Sequence, residues 1–172
     1  MIYMGVDLGV HKLSCAVLDA SAPDHPTILA VESVEVSNET SRDLQLCALG
    51  SYVHDMALTM DVGSTWIEEV IIGNNRKYSL QLAEVKGAVL SDLAHLRMQN
   101  GTDTRTVDNK VWKREIIGGG NASKEEIKNY IIATHPSYAP FCGEQDEFDA
   151  VAIALYGLRI SARASKLHLQ PG

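Results

Sequence analysis

The chain has 172 residues, enough to bury one proper core and too few for two comfortable ones. Hydrophobic residues make up 45% and charged residues 22%, the balance of an ordinary soluble globular protein, and no apolar run reaches the roughly 18–20 residues that span a bilayer. The net charge of −7 argues against a protein that holds nucleic acid by its global field, so any such binding must rest on a local basic patch or on bound cations.

Met1 to Asp7 lacks the basic start and long apolar stretch of a signal peptide, and a cytoplasmic location is expected. Ile2 to Asp7 reads instead as a strand and Leu13 to Leu18 as a second, with a turn around Gly9 between them. Asp19 to Pro26 contains two prolines and reads as a hairpin loop, and Ile28 to Val36 as a third strand. Short turns between successive strands predict an antiparallel meander at one edge of a sheet. From Glu39 to Met56 the apolar positions Leu44, Leu46, Leu49, Val53 and Met56 recur at helical spacing. Ser64 to Ile72 is β-rich and mostly apolar, the pattern of a central buried strand. After a polar loop at Gly73 to Lys77, Ser79 to Met98 is the longest amphipathic helix, with Leu82, Val85, Val89, Leu93 and Leu96 on one stripe.

Thr104 to Val107 is a short strand, and Asp108 caps a helix that begins at Asn109 and must stop at Gly118-Gly119-Gly120. Ser123-Lys124-Glu125-Glu126 is a capping box, which opens a helix running to about Thr134, before Pro136. A last helix is expected from Gln145 to Arg163. Strands first, then strands alternating with helices, predict an α/β fold with a mixed sheet. It would form one domain over residues 1–163, with 164–172 as a frayed tail. Cys15 and Cys47 are expected in the core, and neither the cysteines nor His11, His54, His95 and His135 show metal-ligand spacing. His11 reads as a loop residue.

Carboxylates stand where a sheet protein would not place them. Asp7 lies inside the apolar run Met4-Gly5-Val6-Asp7-Leu8, although aspartate is depleted in strands and burying an unpaired carboxylate is costly. In Trp66-Ile67-Glu68-Glu69-Val70-Ile71, alternation puts one glutamate on each face of the strand. Asp146 and Asp149 project from one side of the first turn of the last helix, where the helix dipole favours negative charge. Together these acids repel one another unless divalent cations intervene, and hard oxygen ligands suit Mg²⁺ or Mn²⁺. Two such ions about 3.5–4 Å apart suit phosphodiester hydrolysis.

The same segments resemble, in order, those of the RuvC Holliday junction resolvases, a branch of the RNase H-like nucleases. Met4-Gly5-Val6-Asp7-Leu8-Gly9 is similar to the family's first strand, and Ile67-Glu68-Glu69-Val70 to its second acidic segment, which selects Glu68 over Glu69. The spacing from Glu68 to Lys86-Gly87, the turn Gly118 to Lys124, and the closing stretch Gln145 to Ala154 complete the likeness over nearly the whole chain. The resemblance implies an RNase H-like sheet, three antiparallel strands then parallel ones, flanked by helices. It implies a metal-dependent endonuclease that resolves four-way DNA junctions, with Asp7 bridging two Mg²⁺ ions (or Mn²⁺ in their place) and Glu68, Asp146 and Asp149 completing the shells. It also implies a homodimer, with Leu82, Val85, Val89 and Leu93 of the long helix at the interface.

Where the family often has an aromatic wedge for the junction centre, this chain has Ile71, with Tyr78 as a substitute. Candidate phosphate contacts are Arg76, Lys77, Lys86, Lys113, Arg114 and Lys124, the last also through a helix N-terminus. Two other functions fit the same residues: an RNase H-like nuclease for flap, single-stranded or RNA substrates, and a non-catalytic module that binds branched DNA. An actin-like ATPase would need a second phosphate loop, which this chain lacks.

Overall fold

A computed structural model describes residues 1–22 and 25–168, so part of the expected hairpin loop (23 and 24) and of the expected tail (169–172) lies outside the described residues. Strands β1 (Ile2–Leu8), β2 (Lys12–Asp19) and β3 (Thr27–Glu35) form the antiparallel meander. The connections from β3 to β4 (Ser64–Glu68) and on to β5 (Asp103–Val107) each contain a long helix, α1 (Arg42–Thr59) and then α2 (Arg76–Asn100). Such crossovers let β4 pair parallel to β1 and β5 parallel to β4. The sheet order is β3-β2-β1-β4-β5, a mixed sheet as expected.

Side-chain alternation along the strands supplies two cores. Met4, Val6, Leu13, Cys15 and Val17 pack with Leu49 and Val53 of α1 and with Val85, Val89, Leu93 and Leu96 of α2. On the other face, Ala16, Leu18 and Trp66 pack with α3 (Asn109–Ile117), α4 (Lys124–Thr134) and α5 (Gln145–His168) through Trp112, Ile127, Ile131 and Ile153. Local signals act where the sequence places them. Asp108 accepts from the Lys110 amide, Gly118 ends α3 at φ 95°, and Ser123 and Glu126 close a reciprocal capping box.

Several expectations are corrected. Strand β4 ends at Glu68, not Ile72, because its last ladder contact is the Glu69 amide to the Val107 carbonyl and no neighbour continues beyond it. Helix α2 starts at Arg76, capped by Asn75, so Arg76, Lys77 and Tyr78 form its first turn and not a loop. Helix α5 continues past Arg163 to His168, into the stretch expected to fray. Cys47 is exposed, whereas Cys15 and Cys142 are buried. The proposed dimer stripe is also reassigned: Val85, Val89 and Leu93 are 0% exposed within this one chain, and Leu82 is partly buried. The stripe is the core side of α2, and of its four residues only Leu82 keeps part of its surface.

Candidate metal centre

Parallel strands leave their carboxyl ends open between the flanking helices, the usual place for a site in such sheets. Asp7 ends β1, Glu68 ends β4, and Asn109 begins α3 directly after β5. Helix α5 reaches the same end because β1 admits it closely. A Cβ at Gly5 would fall well inside contact distance of the Ala150 carbonyl and the Ala154 amide, so only glycine lets the α5 backbone lie there. That contact delivers the first turn of α5, with Asp146 and Asp149, beside Asp7.

One carboxylate oxygen each from Asp7, Asp146 and Asp149 lies within 4.8 Å of the others. Glu68 lines the same cleft and hydrogen-bonds with Asp7. All four acids singled out in the sequence are thus brought together, Glu68 at the side of the other three. Alternation settles the two glutamates: Glu69 points away and pairs with Lys86.

The electrostatics are those of crowded acids. Burial raises the Asp7 carboxyl well above its ordinary range, and the charges of Glu68 and Asp149 raise it further. Burial also pushes Asp149 up to about 6, against the Lys124 and Lys113 charges. Glu68 is raised by burial, while the hydrogen bond from Asp7, the Lys113 charge and hydrogen bonding from Asn109 pull it down. Burial and its acidic neighbours together favour the neutral form of Asp7. Asp149 Oδ1 is buried with no hydrogen-bond partner, an acceptor of the kind that is costly to leave unpaired. Clustered hard oxygens, one of them an orphan, fit a divalent cation.

The basic residues divide. Lys124 donates to Asp146 Oδ1 at 2.7 Å, and Lys113 lines the cleft with its ammonium 5.4 Å from the Trp112 ring centroid. Arg76, Lys77 and Arg114 are exposed, the first two beside Tyr78, which also lines the cleft. Lys86 is not free: its side chain is 15% exposed and its ammonium is taken by Glu69. The α4 N-terminus gives phosphate little support, because its capping box is closed and Glu125 and Glu126 stand in its first turn. Ile71 is 53% exposed in the loop after β4, and Ile72, at 80%, is more so.

Residue-type reasoning missed four contributors. Asn109 acts on Glu68, and Gln145 hydrogen-bonds Asp149. Lys12 lines the cleft and pairs with Glu144, and Ser14, opposite Asp7 in the β1–β2 register, shares a hydrogen bond of 2.7 Å with Ser33. Only Asn109 carried a usable signal, as the first residue after a strand and its helix cap. The others are ordinary surface residues by type.

The chain's relatives agree on one family. A family model described as crossover junction endodeoxyribonuclease RuvC matches residues 3–156. The chain is 28% identical over 154 residues to the crossover junction endodeoxyribonuclease RuvC of Rickettsia bellii (strain OSU 85-389), covering 90% of this chain and 94% of that one. It is 27% identical over 154 residues to the protein of the same description from Rickettsia prowazekii (strain Madrid E), with the same 90% and 94% covered. Among solved structures it is similar to T. thermophilus RuvC in complex with Holliday junction substrate, with a TM-score of 0.81, 20% identity and 96% of both chains covered. It is also similar to the yeast mitochondrial Holliday junction resolvase Ydc2, with a TM-score of 0.67, 13% identity, and 95% of this chain and 80% of that one covered. The structural likenesses show the shared RNase H-like fold.

Proposed function

The chain belongs to the RuvC family of crossover junction endodeoxyribonucleases, and from that membership we propose that Asp7, Glu68, Asp146 and Asp149 are the carboxylates with which it cuts four-way DNA junctions. The observation that carries this assignment is the trio of carboxylate oxygens within 4.8 Å at the open end of the parallel strands, one residue of which, Asp149, keeps a buried oxygen without a partner. Two Mg²⁺ ions held by these groups, or Mn²⁺ in their place, would supply Lewis-acid activation of the attacking water and of the leaving 3′-oxygen.

The chain's own residues do the rest. Asp7 is held by a strand paired on both sides, and Asp146 and Asp149 by a helix packed against that strand, so the ligand oxygens are set before substrate arrives. Asp7 would bind a cation as its carboxylate, so loading the site works against the burial that favours its neutral form. Lys113 and Lys124 line the cleft with the acids and would supply positive charge to a scissile phosphate there. Arg76 and Lys77 stand in the first turn of α2, which contains no acidic residue. Cations at a helix N-terminus oppose the helix dipole, so a phosphate bound there would relieve an otherwise unfavourable arrangement. The exposed side chains of Ile71 and Ile72, in the loop between the site and that helix, would enter an opened junction.

A homodimer would pair two such sites for symmetric cuts. Its interface falls on the outward side of α2, where Leu80 is 64% exposed and Ala83 and Gly87 are open. A Cβ at Gly87 would meet nothing within 4 Å in this chain. Glycine in an exposed helix interior costs about 1 kcal/mol against alanine, which a close approach by a second copy would offset.

The test is cleavage of a labelled four-way junction beside duplex, flap and single-strand controls, in Mg²⁺ and in chelator. Paired symmetric nicks on the junction, absent in chelator, are expected. Cutting of flaps or single strands instead would keep the metal centre and discard the junction, and no cutting at all would leave a binding module.

A further inference from the structure

We propose that Lys124 is a place-holder for the cation: its ammonium occupies Asp146 in the cation-free protein, and loading the site releases it to a DNA phosphate. The two ligands would then bind cooperatively. The inference rests on the metal reading above and adds to it a coupling that the carboxylates alone do not supply.

The backbone of Lys124 is anchored to the helix it serves. Gln145, the first residue of α5, donates from Nε2 to the Lys124 carbonyl oxygen at 2.7 Å. One residue further along α5, Asp146 Oδ1 accepts from the Lys124 ammonium at 2.7 Å. The base of the side chain is therefore fixed while its tip is not, since the Lys124 side chain is 62% exposed and the Asp146 side chain 36%. A four-carbon stem ending in open solvent has other rotamers available at little cost. The hydrogen bond to Asp146, and the charges of Asp146, Asp149 and Asp7, hold the Lys124 proton more firmly than usual. A lysine amine ordinarily titrates at about 10.4, and with its side chain 62% exposed Lys124 is a cation at neutral pH.

An ammonium and a divalent cation cannot share the Asp146 oxygen without strong repulsion at contact range. A divalent cation on either Asp146 oxygen stands close enough to the Lys124 ammonium to repel it and weaken this ion pair. The displaced charge then stands at the rim of the cleft that DNA would enter. Thermodynamic linkage makes the effect reciprocal: whatever draws Lys124 to a phosphate also favours the cation. Lys113 provides the contrast. Its charge acts on Glu68 and Asp149, but its ammonium sits over the Trp112 ring.

The experiment compares the wild-type chain with Lys124→Met, which removes the charge and keeps most of the stem, and with Lys124→Arg, which keeps the charge. Mn²⁺ binding is measured calorimetrically without DNA. Junction binding is then measured against salt, in chelator and in Ca²⁺, counting only DNA that remains uncut. Lys124→Met is expected to tighten Mn²⁺ binding about two- to fivefold, the scale of an exposed ion pair, while Lys124→Arg stays near wild type. In Ca²⁺ the salt slope of Lys124→Met should be shallower than wild type by about 0.9 per site engaged, the loss of one phosphate contact. In chelator the two slopes should coincide. Unchanged or weaker Mn²⁺ binding by Lys124→Met, or a slope difference already present in chelator, would overturn the place-holder while leaving the metal centre standing. A wild-type chain that binds no Mn²⁺ would remove both.

Discussion

At the scale of single residues, the site is defined by a conflict that the fold accepts. Four acids converge on one cleft, and burial holds Asp7 and Asp149 towards their neutral forms. The consequence for stability has a definite sign. The Asp149 carboxyl titrates at about 6 in the fold against an ordinary 3.8, so its contribution is intact below about pH 4 and is lost as pH rises through about 6. Asp7, also raised, acts in the same direction. Thermal unfolding of the metal-free protein should therefore show Tm falling across that window from this site. Mg²⁺, which binds the ionised acids, should raise Tm more at about pH 8 than at about pH 5. Equal Mg²⁺ stabilisation at both pH values would contradict the carboxylate assignment. Asp7 was legible in the sequence because a carboxylate inside an apolar strand needs a reason. The resemblance chose Glu68 over Glu69 and singled out Asp146 and Asp149, which stand at a helix N-terminus where acids are ordinary. The helpers of these acids were not legible. Nothing in residue type separates Gln145 or Ser14 from the other polar residues of the chain, and only their places against Asp149 and Asp7 mark them.

Among the elements, the contact between β1 and α5 does most to build the site. Gly5→Ala puts a methyl into the Ala150 and Ala154 backbone, which no side-chain rotation can relieve. It should cost about 1–3 kcal/mol, read as a lower urea midpoint. By moving Asp146 and Asp149 away from Asp7 it should also reduce cleavage more than the stability loss accounts for. A variant as stable and active as wild type would mean that α5 is not held by this approach. Caps and breakers were legible with precision, since Asp108, Gly118 and the Ser123 box act through their own backbone neighbours. The end of β4 was not. Val70, Ile71 and Ile72 continue an apolar run, but strand length is set by the neighbours, and β5 stops at Val107. Exposed isoleucines next to a nuclease cleft look like core in a sequence because hydrophobicity does not say which side of the surface it is on. The α2 stripe misled in the opposite sense. Periodicity found the buried face correctly, and the resemblance then assigned to a partner what the chain uses for itself.

Over the whole molecule, a net charge of −7 must coexist with binding a polyanion. The arrangement answers this locally: Lys113 and Lys124 stand inside the cleft, and Arg76 and Lys77 stand in the first turn of α2 near it. Arg76→Ala should weaken junction binding and make its salt dependence shallower by about 0.9 in log–log slope, for all sequences alike. An unchanged slope would move the DNA path elsewhere. No helix among the described residues is long and apolar enough to cross a membrane. The fold class and the order of elements followed from the chain itself, whereas the packed structure was needed to see that the α2 stripe belongs to the core. The most direct test of the central claim is cleavage of a labelled four-way junction in Mg²⁺ by wild type and Asp7→Asn, with binding of the same junction followed in parallel. Asp7→Asn removes one charge from the metal centre at nearly constant volume. The account predicts a loss of cleavage greater than about 100-fold, beyond what disturbing a ligand's supporting contacts costs, with junction binding retained. Cutting by Asp7→Asn at near wild-type rate would contradict it.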